Sequence, residues 1–331
     1  YTGGGCPHIL AEPQRTNLYV NSEPTTNEGV AANITYESFS WDIGFDNCVV
    51  FGDNSVLRYR YGSSVTSGTE YTLSAYILMD DNSEPVVSND TLSGDFSLNI
   101  GNAIGGGTIN ASVSMGNNIW RVSKTKVSIQ TTSNNGVLKY TTQSSKGFKV
   151  VGLQMEVGSY PTSYIPTSGS TVTRNQDIFT RDGIGSLINS TEGVLFLEVA
   201  ALSLTSTLEM LSLSDGTYNN VVLFRYYDTS SNDIQVQVKV AGSAQASMLF
   251  TLTDATSFNK IAFKYKENDF ALWVNGVEVG TDTSGITFTS STLNKLSFDR
   301  GDGGNALFGK VKQLQVFKTA LTDTELIALT T

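Results

Sequence analysis

Along most of the chain, apolar and polar positions alternate in short runs, the period-two signature of half-buried β-strands, and polar turn residues separate the runs. Tyr71-Thr72-Leu73-Ser74-Ala75-Tyr76-Ile77 is the cleanest case. Tyr71, Leu73, Ala75 and Ile77 fall on one face, expected to point inward, with Thr72, Ser74 and Tyr76 on the other. Similar runs predict strands over Ser55–Tyr61, Tyr71–Met79, Trp120–Gln130, Gly136–Thr142 and Gly147–Glu156. No helical period stands out in this half.

From Pro161 to Asp177 the composition shifts to Thr, Ser, Pro and Gly, which reads as a domain boundary. A second series of strands follows: Gly193–Leu202, Thr207–Ser212, Asn220–Tyr227, Ile234–Val240, Phe258–Tyr265, Phe270–Val274 and Val311–Phe317. Asn275-Gly276, between Trp273-Val274 and Val277-Glu278-Val279, predicts a type I′ hairpin, because both central positions of that turn need positive φ. Thr322-Asp323-Thr324-Glu325 reads as a capping box ahead of a short helix over Glu325–Leu329. The expectation is therefore an all-β chain of two β-sandwich (jelly-roll) domains in tandem. Its parts would be a leading segment 1–17, a first domain 18–165, a linker 166–177 and a second domain 178–331.

Composition agrees. The 331 residues exceed the usual single-domain size, and only 16% are charged while 10% are aromatic. The net charge of −10, with no run of Lys or Arg, argues against a nucleic-acid partner. No apolar stretch reaches the roughly 20 residues of a membrane-crossing helix, so no membrane insertion is expected. The chain opens on Tyr1-Thr2-Gly3-Gly4-Gly5 without a Met, a basic region or an apolar one, so a processed or excised piece is expected. Two cysteines, Cys6 and Cys48, are too few for a disulfide framework; two unpaired thiols are favoured over a bridge.

Two groups of residues resemble known families. Asp269–Gly280, Leu293–Phe298 and Phe308–Phe317 follow each other as in the laminin-G/concanavalin A-like sandwich, a family that often closes on a phrase like Ala320-Leu321-Thr322-Asp323-Thr324-Glu325-Leu326. In the first half, Arg15-Thr16-Asn17-Leu18, Gly68–Tyr76, Trp120-Arg121-Val122-Ser123 and Leu153–Thr167 resemble the jelly-roll carbohydrate-binding modules. The opening Tyr1–Asn17, with Gly3-Gly4-Gly5-Cys6-Pro7 and Glu12-Pro13-Gln14-Arg15-Thr16-Asn17, is similar to a segment of phage and prophage tail-fibre-like proteins. The resemblance implies a virion (tail or appendage) or extracellular location, a cell-surface glycan or polysaccharide partner, contacts with other virion subunits, and a homotrimer. Fold alone does not name the ligand.

Catalysis is not expected. Retaining glycosidases need two carboxylates about 5–5.5 Å apart. Glu192 and Glu198 stand apart in sequence, Asp269 sits at a turn, and His8, the sole His, lies in the leading segment. Gly105-Gly106-Gly107 lacks the Lys and helix of a phosphate loop, and no nucleophile elbow or zinc-ligand set is present.

Glycan binding needs exposed aromatic faces with polar groups beside them. Trp41, in Ser38-Phe39-Ser40-Trp41-Asp42, is the leading platform, with Tyr76 and the Arg58/Arg60 face as helpers. Phe39 alternates with Trp41, which keeps the core reading of Trp41 ahead of ligand contact; Trp120 and Trp273 read as packing. No cofactor is required, although calcium is possible: Asp299 and Asp302 in the Gly-rich run Asp299–Asn305, and Glu156 in the first domain, are the candidate ligands, against an ordinary turn as the plainer reading. The favoured function is a non-catalytic adhesion part of a phage tail or appendage. A structural virion protein and an accessory module of a secreted polysaccharide-degrading enzyme remain alternatives.

Overall fold

The computed structural model describes residues 8–25, 30–52, 57–61, 64–204, 208–228 and 231–331, without the side chains of 30–32, 57–61 and 228. The chain is all-β and forms two β-sandwich units. Of the described residues, the first unit takes Gln14–Asn175; the second takes Gln176–Thr331 together with residues 8–13. Among the described residues, the one α-helix is Asp323–Thr330, and no helix is long and apolar enough to cross a membrane.

In the first unit, a seven-stranded sheet has its centre at Ile119–Val127, Glu70–Met79 and Phe148–Val157. A five-stranded sheet carries Leu57–Tyr61, Asn135–Lys139 and Phe96–Asn99. Tyr71, Leu73, Ala75 and Ile77 point into the core between them, against Phe96, Leu98 and Val137, as their alternation requires. Thr72, Ser74 and Tyr76, on the opposite face, are buried as well. A polar strap over that face is the reason. Thr72 Oγ1 donates to Gly158 O, Arg121 donates to Ser74 Oγ and Thr162 O, and Gln154 Nε2 donates to Thr162 O and Ser163 O.

Asn17 ties the start of the unit to this strap. Its buried amide donates to Leu153 O and Ile165 O, and its Oδ1 accepts from Tyr19 N and Met155 N. The two sequence phrases Arg15–Leu18 and Leu153–Thr167 are thus one hydrogen-bonded piece of architecture. Val172–Arg174 pairs antiparallel with Arg15–Asn17. The expected linker 166–177 therefore needs correction: its larger part completes the first unit, because its backbone groups are satisfied there.

The second unit packs two six-stranded sheets. One runs, in spatial order, Ile9–Ala11, Gly309–Phe317, Glu192–Ala201, Asn259–Lys266, Phe270–Val274 and Val277–Asp282. The other runs Thr180–Arg181, Lys295–Ser297, Glu209–Ser214, Val221–Asp228, Asp233–Val240 and Ser243–Thr251. Leu195, Leu197, Leu211, Leu213, Phe224 and Val236 meet between them. The leading segment 1–17 is consequently divided: Ile9–Ala11 is an edge strand of the second unit, paired with Gly309–Val311, while Arg15–Asn17 belongs to the first.

Asn275 and Gly276 take φ of 48° and 83°, as the hairpin turn demands. The capping box forms at Thr322: Thr322 N donates to Glu325 Oε2 at 2.8 Å and Glu325 N to Thr322 Oγ1 at 3.4 Å. The helix it starts lays Leu326 over the outer face of the first of these two sheets, against Trp273, Phe196 and Ala271. Trp273 is a packing residue.

Candidate functional site

The expected platform in the first unit is part of a core. Trp41 is 3% exposed and Tyr76 7%, in a cluster with Phe45, Cys48, Ile119 and Val151. Trp41 Nε1 donates to Asn47 O, and its ring meets Phe39 and Phe45 edge-on. Tyr76 lies against Gly152, which has φ of 61° and whose added Cβ would come within 2.6 Å of the Tyr76 ring. Neither ring offers a face for stacking, so both positions are corrected to core residues. Alternation within Phe39-Ser40-Trp41 was the signal that pointed this way. The side chains of Arg58 and Arg60 lie outside the described residues. In the same unit, a cavity of about 350 Å³ is lined by Asn21, Glu23, Thr25, Asn47, Pro166 and Thr167, among others.

The carboxylates considered for calcium hold the fold's own turns. Glu156 is fully buried and accepts from Thr162 N at 3.0 Å and from Thr162 Oγ1. Asp299 Oδ1 accepts from Ser297 Oγ, Gly301 N and Gly303 N. Asp302 takes a two-point bond from Arg300, at 3.0 and 2.8 Å, which holds its carboxyl below the usual range. Among the described residues, no three His, Cys, Asp or Glu side chains cluster as a metal site would need. The arrangement corrects Asp299, Asp302 and Glu156 from ligand candidates to turn and strap residues. Cys48 carries a free, buried thiol, whereas Cys6 lies outside the described residues.

Glu192 and Glu198 occupy one strand and pair with different lysines, Lys266 at 3.9 Å and Lys312 at 2.7 Å. Six residues of strand separate their backbones by roughly 20 Å, too far for paired-carboxylate chemistry. His8 packs edge-on against Phe258.

The second unit exposes a different surface. On the outer face of its second sheet, the strands Val221–Asp228 and Asp233–Val240 turn Phe224, Tyr226, Ile234, Val236 and Val238 inward. Alternation then sends Arg225, Tyr227, Gln235, Gln237 and Lys239 outward. The Arg225 guanidinium lies 4.8 Å from the Tyr227 ring centre, and its Nε donates to Gln235 Oε1 at 2.7 Å. Gln235 Nε2 donates in turn to Ser247 Oγ. Lys239 Nζ sits 3.6 Å from the ring centre of Tyr218, and Arg300 meets the same ring at 5.0 Å. Burial, then the charges of Arg300 and Arg225, push the Lys239 ammonium below its usual range. Beneath lie Met210, Val221 and Leu223, buried under Tyr218.

This surface combines features that sugar recognition uses: aromatic rings held in place by cations, amides with spare hydrogen-bonding capacity, and a hydrogen-bonded sheet beneath them. Tyr227 is 41% exposed and Leu249, facing Gln235, 55%. Both strands are legible in the sequence, but no aromatic or basic motif there singles out these residues. The alternation of Gln235, Gln237 and Lys239 with Ile234, Val236 and Val238 was the available signal.

Residues 199–327 match the family model of the concanavalin A-like lectin/glucanases superfamily. No curated protein matches the chain in sequence. Among solved structures, the chain is similar to the CBM40 of a Ruminococcus gnavus IT-sialidase, solved bound to alpha2,3 sialyllactose. That match has 17% identity, 46% of this chain, 98% of that chain and a TM-score of 0.38. It is also similar to a SAP-like pentraxin from Limulus polyphemus, at 14% identity, 44% and 71% coverage and a TM-score of 0.35. Mouse laminin alpha1 chain domains LG4-5 match at 9% identity over 82% of this chain and 90% of that one, with a TM-score of 0.30.

Proposed function

We propose that this protein is a non-catalytic carbohydrate-binding adhesin, part of a phage tail or virion appendage that attaches to a host surface. The observation that carries the binding reading is the outer sheet face of the second unit. Arg225, Tyr227, Gln235, Gln237 and Lys239 there form a polar, aromatic surface within the segment matched to the lectin-type superfamily. The non-catalytic reading is supported by the separation of Glu192 and Glu198 and by the bonds that occupy Glu156, Asp299 and Asp302. The appendage reading rests on the resemblance of Tyr1–Asn17 to tail-fibre-like proteins; glycan-coated cells and other virion subunits would be its partners, in a trimer.

The test is binding of the whole chain to a printed array of oligosaccharides, with a reducing-sugar and unsaturated-uronate assay on whatever binds. Saturable binding without turnover is expected. No binding to any glycan, or turnover abolished by one acidic substitution, would overturn the proposal.

A further inference from the structure

We propose that the outer sheet face of the second unit binds an acidic carbohydrate, one that carries carboxylate or sulfate groups, through Lys239 and Arg225. The inference rests on the carbohydrate-binding reading above and adds the charge of the ligand to it.

The whole chain is acidic, with 21 Lys and Arg against 31 Asp and Glu. This face runs against that balance. Arg225, Lys239 and Arg300 gather on it, and the Asp302 carboxylate is already committed to Arg300. Asp233, at the far end of the Lys239 strand, accepts from Ser231 Oγ and Thr251 Oγ1. Among the described residues, no carboxylate lies within 4.0 Å of Lys239 or Arg225. Gln237, between them, makes no side-chain hydrogen bond among those residues, although it sits on a face that is partly buried. Its amide is open to solvent and is available to a ligand hydroxyl.

Register sets the dimensions. Arg225 pairs with Gln235, Leu223 with Gln237, and Val221 with Lys239. The backbone positions of Arg225 and Lys239 therefore lie about 13 Å apart along the strand direction, with Gln237 midway. That span suits a short oligosaccharide lying along the strands, its acidic groups at the two ends and its hydroxyls on Gln237 and Gln235. Burial first, then the charges of Arg300 and Arg225, depress the Lys239 ammonium. A carboxylate or sulfate set beside Lys239 or Arg225 would offset the repulsion among those cations, so binding would be accompanied by favourable electrostatics that a neutral sugar lacks. An isolated anion would gain the charge but not the amide contacts, so inorganic sulfate is expected to compete only weakly.

The experiment uses the full chain and an array of neutral, carboxylated and sulfated oligosaccharides. It is followed by calorimetric titration with a galacturonate oligomer, its methyl ester, and a heparin-derived oligomer. The carboxylated and sulfated arms separate the two sources of acidic charge. The proposal expects acidic glycans among the bound spots and at least tenfold weaker binding of any neutral counterpart. Lys239→Gln and Arg225→Gln should each lose tenfold or more while melting normally, and Lys239→Arg should retain binding. Raising the salt concentration should weaken binding in parallel. Equal affinity for the acidic oligomer and its ester, or binding unchanged in both Gln variants, would overturn the acidic-ligand inference and leave the carbohydrate reading standing. Absence of binding to every glycan would overturn both.

Discussion

At the residue scale, Trp41 and Cys48 show how much burial decides. Trp41 fills a pocket between Phe39 and Phe45, so Trp41→Ala should cost about 3–5 kcal/mol of stability. Glycan binding at the second unit should be unchanged, with the melting temperature as the readout. Burial first, then the Glu37 carboxylate, push the Cys48 thiol up to about 12. The fold thus prefers the protonated thiol. That contribution to stability is complete below the thiol's ordinary pKa, about 8.5, and drains away as pH climbs toward 12. In a Cys6→Ser background, a disulfide reagent at pH 8 should leave the native protein untouched and react stoichiometrically once it is unfolded. Rapid reaction of the native form would refute the burial of Cys48. The sequence could not separate a stacking Trp from a buried one here, because the covering layer comes from a strap distant in the chain, near Tyr164. The same holds for Lys124 and Lys126. Their polar type suggests solvent, yet Lys124 Nζ reaches Leu98 O and Ile104 O, and Lys126 Nζ reaches Ala103 O and Gly105 O.

At the element scale, local signals with a defined geometry were legible. The Asn275-Gly276 turn, the Thr322 capping box and the inward set Tyr71, Leu73, Ala75 and Ile77 all stand where residue chemistry alone puts them. Thr322→Ala removes the acceptor for Glu325 N and should cost about 1 kcal/mol. The loss should show as earlier unfolding of the C-terminal helix by hydrogen exchange, since that helix is held by Leu326 and its neighbours against Trp273 and by Gly276 N donating to Thr330 Oγ1. Less legible was the fate of 166–177. Thr, Ser, Pro and Gly mark both linkers and irregular straps, and only the pairing of Val172–Arg174 with Arg15–Asn17 distinguishes them.

At the scale of the whole molecule, the chain enters the second unit twice. Ile9–Ala11 supplies its edge strand before the first unit begins, a long-range pairing that three residues cannot announce in sequence. A fragment 176–331 should therefore leave the Gly309–Phe317 strand as an open edge. It should melt lower and aggregate more readily than the same fragment with residues 8–13 linked to it. Equal behaviour of the two would show that the edge strand adds nothing. Sugar recognition is proposed on the outer sheet face of this unit, where Arg225, Gln235, Gln237 and Lys239 are displayed. It is tested most directly by a crystal structure of the full chain with its tightest-binding oligosaccharide. Sugar density is expected along Val221–Asp228 and Asp233–Val240, with acidic groups on Lys239 and Arg225. Density confined to the cavity of Asn21, Glu23 and Asn47 in the first unit would contradict it.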